Sequence, residues 1–205
     1  MLKIFLITAL LVVSSCSIAT KALYKAPDAR VESVKNGNYT LDKSHASIIF
    51  KIKHLGFSNY TGRFNNFDAS LNFDEKNPLK SEVTAKIDIT SVDSNNDELK
   101  QKLLGKEFFY SKTLPYAYFK STKIEKTGEN RGKIYGDLTL VGVKKPIVLD
   151  TKFNASGIHP ITKETIAGFS AKAKIKRSDF GVNAFIPAVA DEVILDIEVE
   201  FIKKK

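Results

Sequence analysis

The chain has 205 residues, of which 43% are hydrophobic and 27% charged; this suits one substantial domain with a real core and excludes a globally disordered protein. Its formal charge of +9 favours anionic surfaces, but the lysines are spread over nearly every segment and only Lys203, Lys204 and Lys205 form a block. The clustered basic face of a nucleic-acid-binding protein is therefore missing, and no nucleic-acid partner is expected.

Met1, Leu2 and Lys3 give a short positive start, followed by an apolar run from Ile4 to Val13. That run is shorter than the roughly 20 residues a membrane-spanning helix needs, and it suits an export leader over residues 1–22. Two processing readings stay open. "VSSC" (Val13 to Cys16) resembles a lipoprotein box, which would lipidate Cys16 and tether the protein to a membrane; "SIA" (Ser17 to Ala19) or "TKA" (Thr20 to Ala22) suits ordinary cleavage to a soluble product. Cys16 is the one cysteine, so the folded part has no disulfide. Residues 23–38 mix Pro27, Gly37 and charges without a period and read as a linker.

From Tyr39 the period is two. Ile48, Phe50, Ile52 and His54 share one parity against Lys51 and Lys53; Val83, Ala85, Ile87 and Ile89 oppose Thr84, Lys86 and Asp88. Phe169, Ala171, Ala173 and Ile175 oppose Ser170, Lys172, Lys174 and Lys176, and Val193, Leu195, Ile197, Val199 and Phe201 oppose Asp196, Glu198 and Glu200. Side chains alternate faces along a strand, so each segment is a strand with one buried face. Phe57 to Phe73, Tyr116 to Ile124, Lys133 to Val141 and Pro146 to Phe153 are weaker versions of the same pattern, which makes eight strands. One short helix interrupts them between strands three and four, from Ser94 to Gly105. Ser94 or Asn95 would cap it, Leu99, Leu103 and Leu104 form its apolar stripe, and Gly105 ends it.

The fold class is therefore all-β. Eight sequential one-sided antiparallel strands leave exposed edges unless they close into a barrel, here spanning residues 39–203. Small inward residues (Ala85, Ala171, Ala173) leave room for a ligand; the bland alternative is that small and large residues merely alternate to fit the barrel's taper. The apolar wall would comprise Ile48, Phe50, Ile52, Ala85, Ile87, Ile89, Phe169, Ala171, Ala173, Ile175, Leu195 and Ile197.

With the chain running up and down, strands one, three and seven end at one mouth. The inward parity of strand one ends in His54, that of strand three in Ser91 and Asp93, and that of strand seven in Arg177. The helix and the loop from Ser178 to Ala190 leave from the same rim and could lid it. This suits an amphiphile whose tail lies along the wall and whose head meets His54, Asp93 and Arg177. A purely structural rim is the alternative, with Arg177 paired to Asp179 or Asp93 and His54 bonded to a carbonyl. No resident metal or cofactor is expected: His45 and His54 differ in parity, His159 lies in a loop, and no folded cysteine exists. "DFG" (Asp179 to Gly181) lacks every other kinase motif.

"YTLDKSHASIIFKIKHLGFSNYTGRF" (Tyr39 to Phe64) resembles the opening signature of the YceI-like family. "SVD" (Ser91 to Asp93), "EFF" (Glu107 to Phe109), "PYAYFKST" (Pro115 to Thr122), "GDLTLVGVKKPIVLD" (Gly136 to Asp150) and "RSDFG" (Arg177 to Gly181) follow in the family's order. The resemblance implies an extended lipocalin-like barrel around a long apolar chain, such as a polyisoprenoid, isoprenoid quinone or fatty amide, commonly in the periplasm. The arginine and histidine often found after "SVD" are absent here, where the chain reads Asn95-Asn96-Asp97-Glu98-Leu99. The expected function is a non-catalytic periplasmic carrier or store, soluble or lipoprotein-anchored. The alternatives are a lipid-modifying enzyme using His54 and Asp93, or an outer-membrane barrel.

Overall fold

The computed structural model describes residues 26–205. The expected leader over residues 1–22, with Cys16, lies outside them. The strands are β1 (Gly37–Leu41), β2 (Ser47–His54), β3 (Ser58–Phe64), β4 (Phe67–Phe73), β5 (Glu82–Asp88), β6 (Val92–Asp93), β7 (Tyr116–Lys126), β8 (Arg131–Leu140), β9 (Val143–Ile158), β10 (Thr165–Lys176) and β11 (Val189–Lys203), with helix α1 (Asp97–Leu104) after β6. Three pairs are halves of interrupted strands. β11 pairs with β1 through Leu41↔Phe201 and with β2 through Glu198↔Ser47, so β1 and β2 share one edge. β3 and β4 pair with β2 and β1, and β5 and β6 with β4 and β3. The remaining ladder runs β5–β7–β8–β9–β10–β11. Eight antiparallel strands thus close on themselves, and the expected barrel is present.

Two of the interruptions have one chemical cause. The Asp42 carboxylate accepts the Ser44 N–H at 2.9 Å, and the Asp88 carboxylate accepts the Thr90 N–H at 2.9 Å. Each side chain captures a backbone donor two residues on and turns the strand into a 3-10 turn, Lys43–His45 in one case and Ile89–Ser91 in the other. The second turn resets the face alternation. Ile87, Ile89 and Val92 are buried whereas Asp93 is exposed, so the inward parity does not continue from Ile89 through Ser91 to Asp93.

Helix α1 begins three residues later than the sequence pattern suggests. Asn96, rather than Ser94 or Asn95, caps it by accepting the Leu99 N–H at 2.9 Å. Gly105 does end it.

Residues 28–34 are not a linker. Asp28 exchanges backbone hydrogen bonds with Ser156, both at 2.8 Å, and Val34 is completely buried. This segment packs against the end of the barrel where β1 starts and β11 stops, together with buried Tyr39, Leu71, Phe73 and Phe201. On the outside, Lys172 and Lys51 flank Asp196, and Lys174 pairs with Glu192 at 3.3 Å. A charged outer face is incompatible with the hydrocarbon of a bilayer, so the outer-membrane barrel reading is set aside.

Candidate ligand-binding cavity

The inward faces enclose a cavity of about 780 Å³, within the roughly 300–1,000 Å³ typical of small-molecule sites. It is elongated: β7 alone lines it from Ala117 to Lys126, which at about 3.3 Å per residue is roughly 30 Å. Every wall residue expected from parity lines it except Ala173. Ala173 faces inward but is covered by Phe119 and Leu149, and only 3% of its surface is exposed.

Two glycines keep the lumen open although aromatic rings line it. A Cβ on Gly62 would stand 2.3 Å from the Phe50 ring, and one on Gly136 would stand 2.4 Å from the Phe119 ring. Each ring lies flat over a glycine of a neighbouring strand instead of projecting across the barrel. Phe50 then contacts Phe64, and Phe64 contacts Phe109 beyond α1, with centroids 5.7 and 6.0 Å apart.

The three rim residues do not form one cluster. His54 ends β2 and lines the mouth, exposed; its carbonyl accepts the Phe57 N–H at 3.0 Å, and its imidazole has no hydrogen-bond partner among the described residues. Arg177 also lines the mouth, but is buried, and four of its five N–H donors are engaged. Its Nε donates to Ala190 O at 2.9 Å, Nη1 to Val182 O and Ala184 O at 3.0 and 2.7 Å, and Nη2 to Val189 O at 2.8 Å. The guanidinium thus clamps the loop of residues 181–190 by its carbonyls, and it has no ion-pair partner in Asp179 or Asp93. Desolvation pushes its pKa down, and Asp191 partly opposes this; a guanidinium nonetheless stays charged. Asp191 is spent on Ser178, accepting from its N–H at 2.9 Å and its hydroxyl at 2.7 Å.

Asp93 is not part of the cavity. It pairs across the ladder with Arg63 on the outer face, and its carboxylate accepts the Asn95 N–H at 2.9 Å. That bond, followed by one from Asn65, holds its pKa below the ordinary carboxylate value. His54 and Asp93 therefore do not make a base and its orienting carboxylate, which the enzymatic alternative required.

The expected lids are present, and the sequence pattern did not name their contact residues. Leu99, Lys102 and Leu103 of α1, Phe108 after it, and Phe185 and Ala188 of the loop all line the mouth. Phe108 stacks on Phe185 at 6.2 Å, so the two lids touch. At the far end the floor includes Val31, Pro78, Leu79 and Asn130; the Asn130 Oδ1 is buried with no hydrogen-bond partner.

Elsewhere, Asp42, His45 and Glu200 bring ligand-type atoms within 4.8 Å of one another on the outer surface, a convergence that strand parity did not reveal. Asp42 is already occupied as the cap of its turn and bonds His45 Nδ1 at 2.9 Å. The Ser44 hydroxyl, then His45, hold its pKa down at about 2.

Residues 39–201 match the YceI-like domain model. A UPF0312 protein of Yersinia pestis (strain Pestoides F) is 41% identical over 170 residues, covering 82% of this chain and 88% of its own length. Among solved structures, BcnA of Burkholderia cenocepacia superposes with a TM-score of 0.71 at 25% identity, over 78% of this chain and 98% of that one. A polyisoprenoid-binding domain from Saccharophagus degradans shares the fold with a TM-score of 0.64 at 16% identity, over 81% of this chain and 98% of its own. The chain belongs to the YceI-like domain family.

Proposed function

We propose that the protein is a non-catalytic periplasmic carrier that holds one long-chain amphiphile, of isoprenoid or similar type, along the barrel axis. The observation that carries this reading is the elongated cavity, whose wall is apolar between a mouth holding the buried Arg177 and a far rim where Glu125, Lys126, Glu129 and Arg131 stand. Burying a hydrocarbon there gains roughly 25 cal/mol per Å². The polyisoprenoid-binding fold neighbour is consistent with that ligand class.

Arg177 influences the head group chiefly through its charge and by fixing the loop, since four of its five N–H groups are bonded to carbonyls. A carboxylate, phosphate or quinone oxygen suits a mouth with such a cation and the exposed His54 imidazole. No orienting carboxylate stands beside His54, which favours binding over catalysis. Export, with or without lipidation of Cys16, follows from the leader.

The test is mass spectrometry of protein purified from the source's own envelope without added lipid. One amphiphile per chain is expected; repeatedly empty preparations would overturn the proposal. Cell fractionation of the same material tests the location.

A further inference from the structure

We propose that the mouth is a membrane-docking collar, which seats Leu55, Phe57, Phe185 and Ile186 in the interface of an anionic bilayer so that ligand passes between bilayer and cavity. This rests on the carrier reading above, but its evidence is independent of the cavity's contents. Phe57 is 89% exposed, Phe185 53%, Leu55 52% and Ile186 37%. All four sit on two loops, the β2–β3 turn and residues 181–188. The Leu55 N–H donates to Ala188 O at 2.8 Å, which ties these loops together.

Two of the four are also conformationally costly. Leu55 has φ 50 and Phe185 φ 61, the left-handed region that bulky residues avoid. Leu55 and Gly56 (φ 78) are the central residues of a turn closed by the Phe57 N–H on His54 O at 3.0 Å, and such a positive-φ first position ordinarily takes Asn, Asp or Gly. A leucine there sacrifices backbone energy and leaves apolar surface in water. Among the described residues nothing covers the exposed side chains, whereas insertion into an interface would bury them.

The occupant is argued from position and charge. The exposed apolar residues sit on the two loops at the cavity's opening beside Lys53 and Lys102, a mixture that suits an interface of apolar chains and anionic head groups. Lys53 lies beside Leu55 and Ala188, and Lys102 Nζ stands 5.4 Å from the Phe185 ring centre. Neither lysine has a carboxylate within 4 Å among the described residues, so both are available to anionic head groups. Leu55, Lys102 and Phe185 also line the cavity mouth, so the collar is continuous with the ligand's route. Ile158 (70% exposed) and Ile161 (83%) on the β9–β10 turn are equally apolar but do not border the cavity.

The experiment is flotation of the full chain with vesicles of phosphatidylethanolamine and phosphatidylglycerol, beside loading of geranylgeraniol from detergent micelles. Wild type should float with the vesicles, and more weakly when phosphatidylglycerol is omitted or salt is raised. Phe57→Ser with Phe185→Ser should lower vesicle binding at least about tenfold, and Lys53→Gln with Lys102→Gln should remove the salt dependence. Ile158→Ser with Ile161→Ser should change nothing. A dye on Phe57→Cys, in a Cys16→Ser background, should shift to the blue on vesicles.

Wild type that stays in solution, a collar variant that floats normally, or a far-end variant that fails equally would each overturn the collar. Micelle loading separates the two proposals. Loading retained without flotation sinks the collar alone, and loading lost in the wild type sinks the carrier reading.

Discussion

Apart from the exposed β9–β10 turn that carries Ile158 and Ile161, the two ends of the barrel spend their apolar residues in opposite ways. At the far end Val34, Tyr39, Leu71, Phe73 and Phe201 are buried against one another and the packed segment of residues 28–34. At the mouth Leu55, Phe57 and Phe185 face outward, and the single buried cation is spent on holding a loop. The far end contributes stability through burial; the mouth gives some up, in exposure and backbone strain, where a ligand would enter. The difference teaches that cohesion and function are separated along the barrel axis rather than between its faces.

The sharpest way to break that comparison is to remove one phenylalanine from each end. Phe201→Ala, which leaves a hole beside Phe169, should cost about 3–5 kcal/mol in chemical unfolding. Phe57→Ala should cost less than about 0.5 kcal/mol. Equal losses would deny the division.

Next in size is the clamp. Arg177→Met strips four carbonyls of their donor and should cost about 2–3 kcal/mol. Amide exchange should rise over residues 181–190 while the far end stays protected. Arg177→Lys should rescue little, because an ammonium does not reproduce the planar fork.

A smaller effect concerns the wall between the ends. Gly62→Ala drives a methyl into the Phe50 ring and should cost about 1–2 kcal/mol. The displaced ring enters the lumen, so ligand affinity should fall as well, measured by titration with a fluorescent polyene fatty acid.

The smallest effect belongs to the kink between β1 and β2. Asp42, held at about 2 against an ordinary 3.8, stabilises the fold above its ordinary value, and this is lost as pH falls through about 2. His45 is shifted the other way by Asp42 and then Glu200. Its contribution is complete below its ordinary 6.5 and disappears as pH rises through the raised value. The site is largely solvated, so Asp42→Asn should cost about 1 kcal/mol or less. The penalty should be greatest around pH 5, smaller once His45 is neutral, and should shrink below pH 3.8 and vanish only below about pH 2, as thermal melts across pH would reveal.

Much of the barrel is legible in the sequence because a period of two is set by backbone geometry and persists along the strands except at bulges, as between Ser121 and Lys123 of β7, where the inward parity passes from Phe119 to Ile124. The places where reading fails are those where a side chain overrides that geometry. Asp42-Lys43-Ser44 and Asp88-Ile89-Thr90 carry the same turn signal, yet each sits inside an otherwise regular strand; overlooking the second is what turned Asp93 inward on paper. Val31 and Val34 pack without any periodic neighbours, so their segment read as a linker. Arg177 and His54 both line the cavity, at the ends of β10 and β2. That the arginine's donors go to four carbonyls could not be read, because a loop's backbone direction leaves no trace in residue types. Ala173 shows the limit of parity itself, which gives the face of a residue but not what stands in front of it.

Ala171 and Ala173 also provide the most direct test of a hollow interior. They share a face of β10 two residues apart, but Ala171 lines the cavity and Ala173 is covered by Phe119 and Leu149. Ala171→Phe should fold with wild-type stability and lose binding of the polyene fatty acid, whereas Ala173→Phe should be destabilised by about 1–3 kcal/mol. Comparable destabilisation of both, with ligand binding unchanged in Ala171→Phe, would show that the space is already filled and would contradict the account.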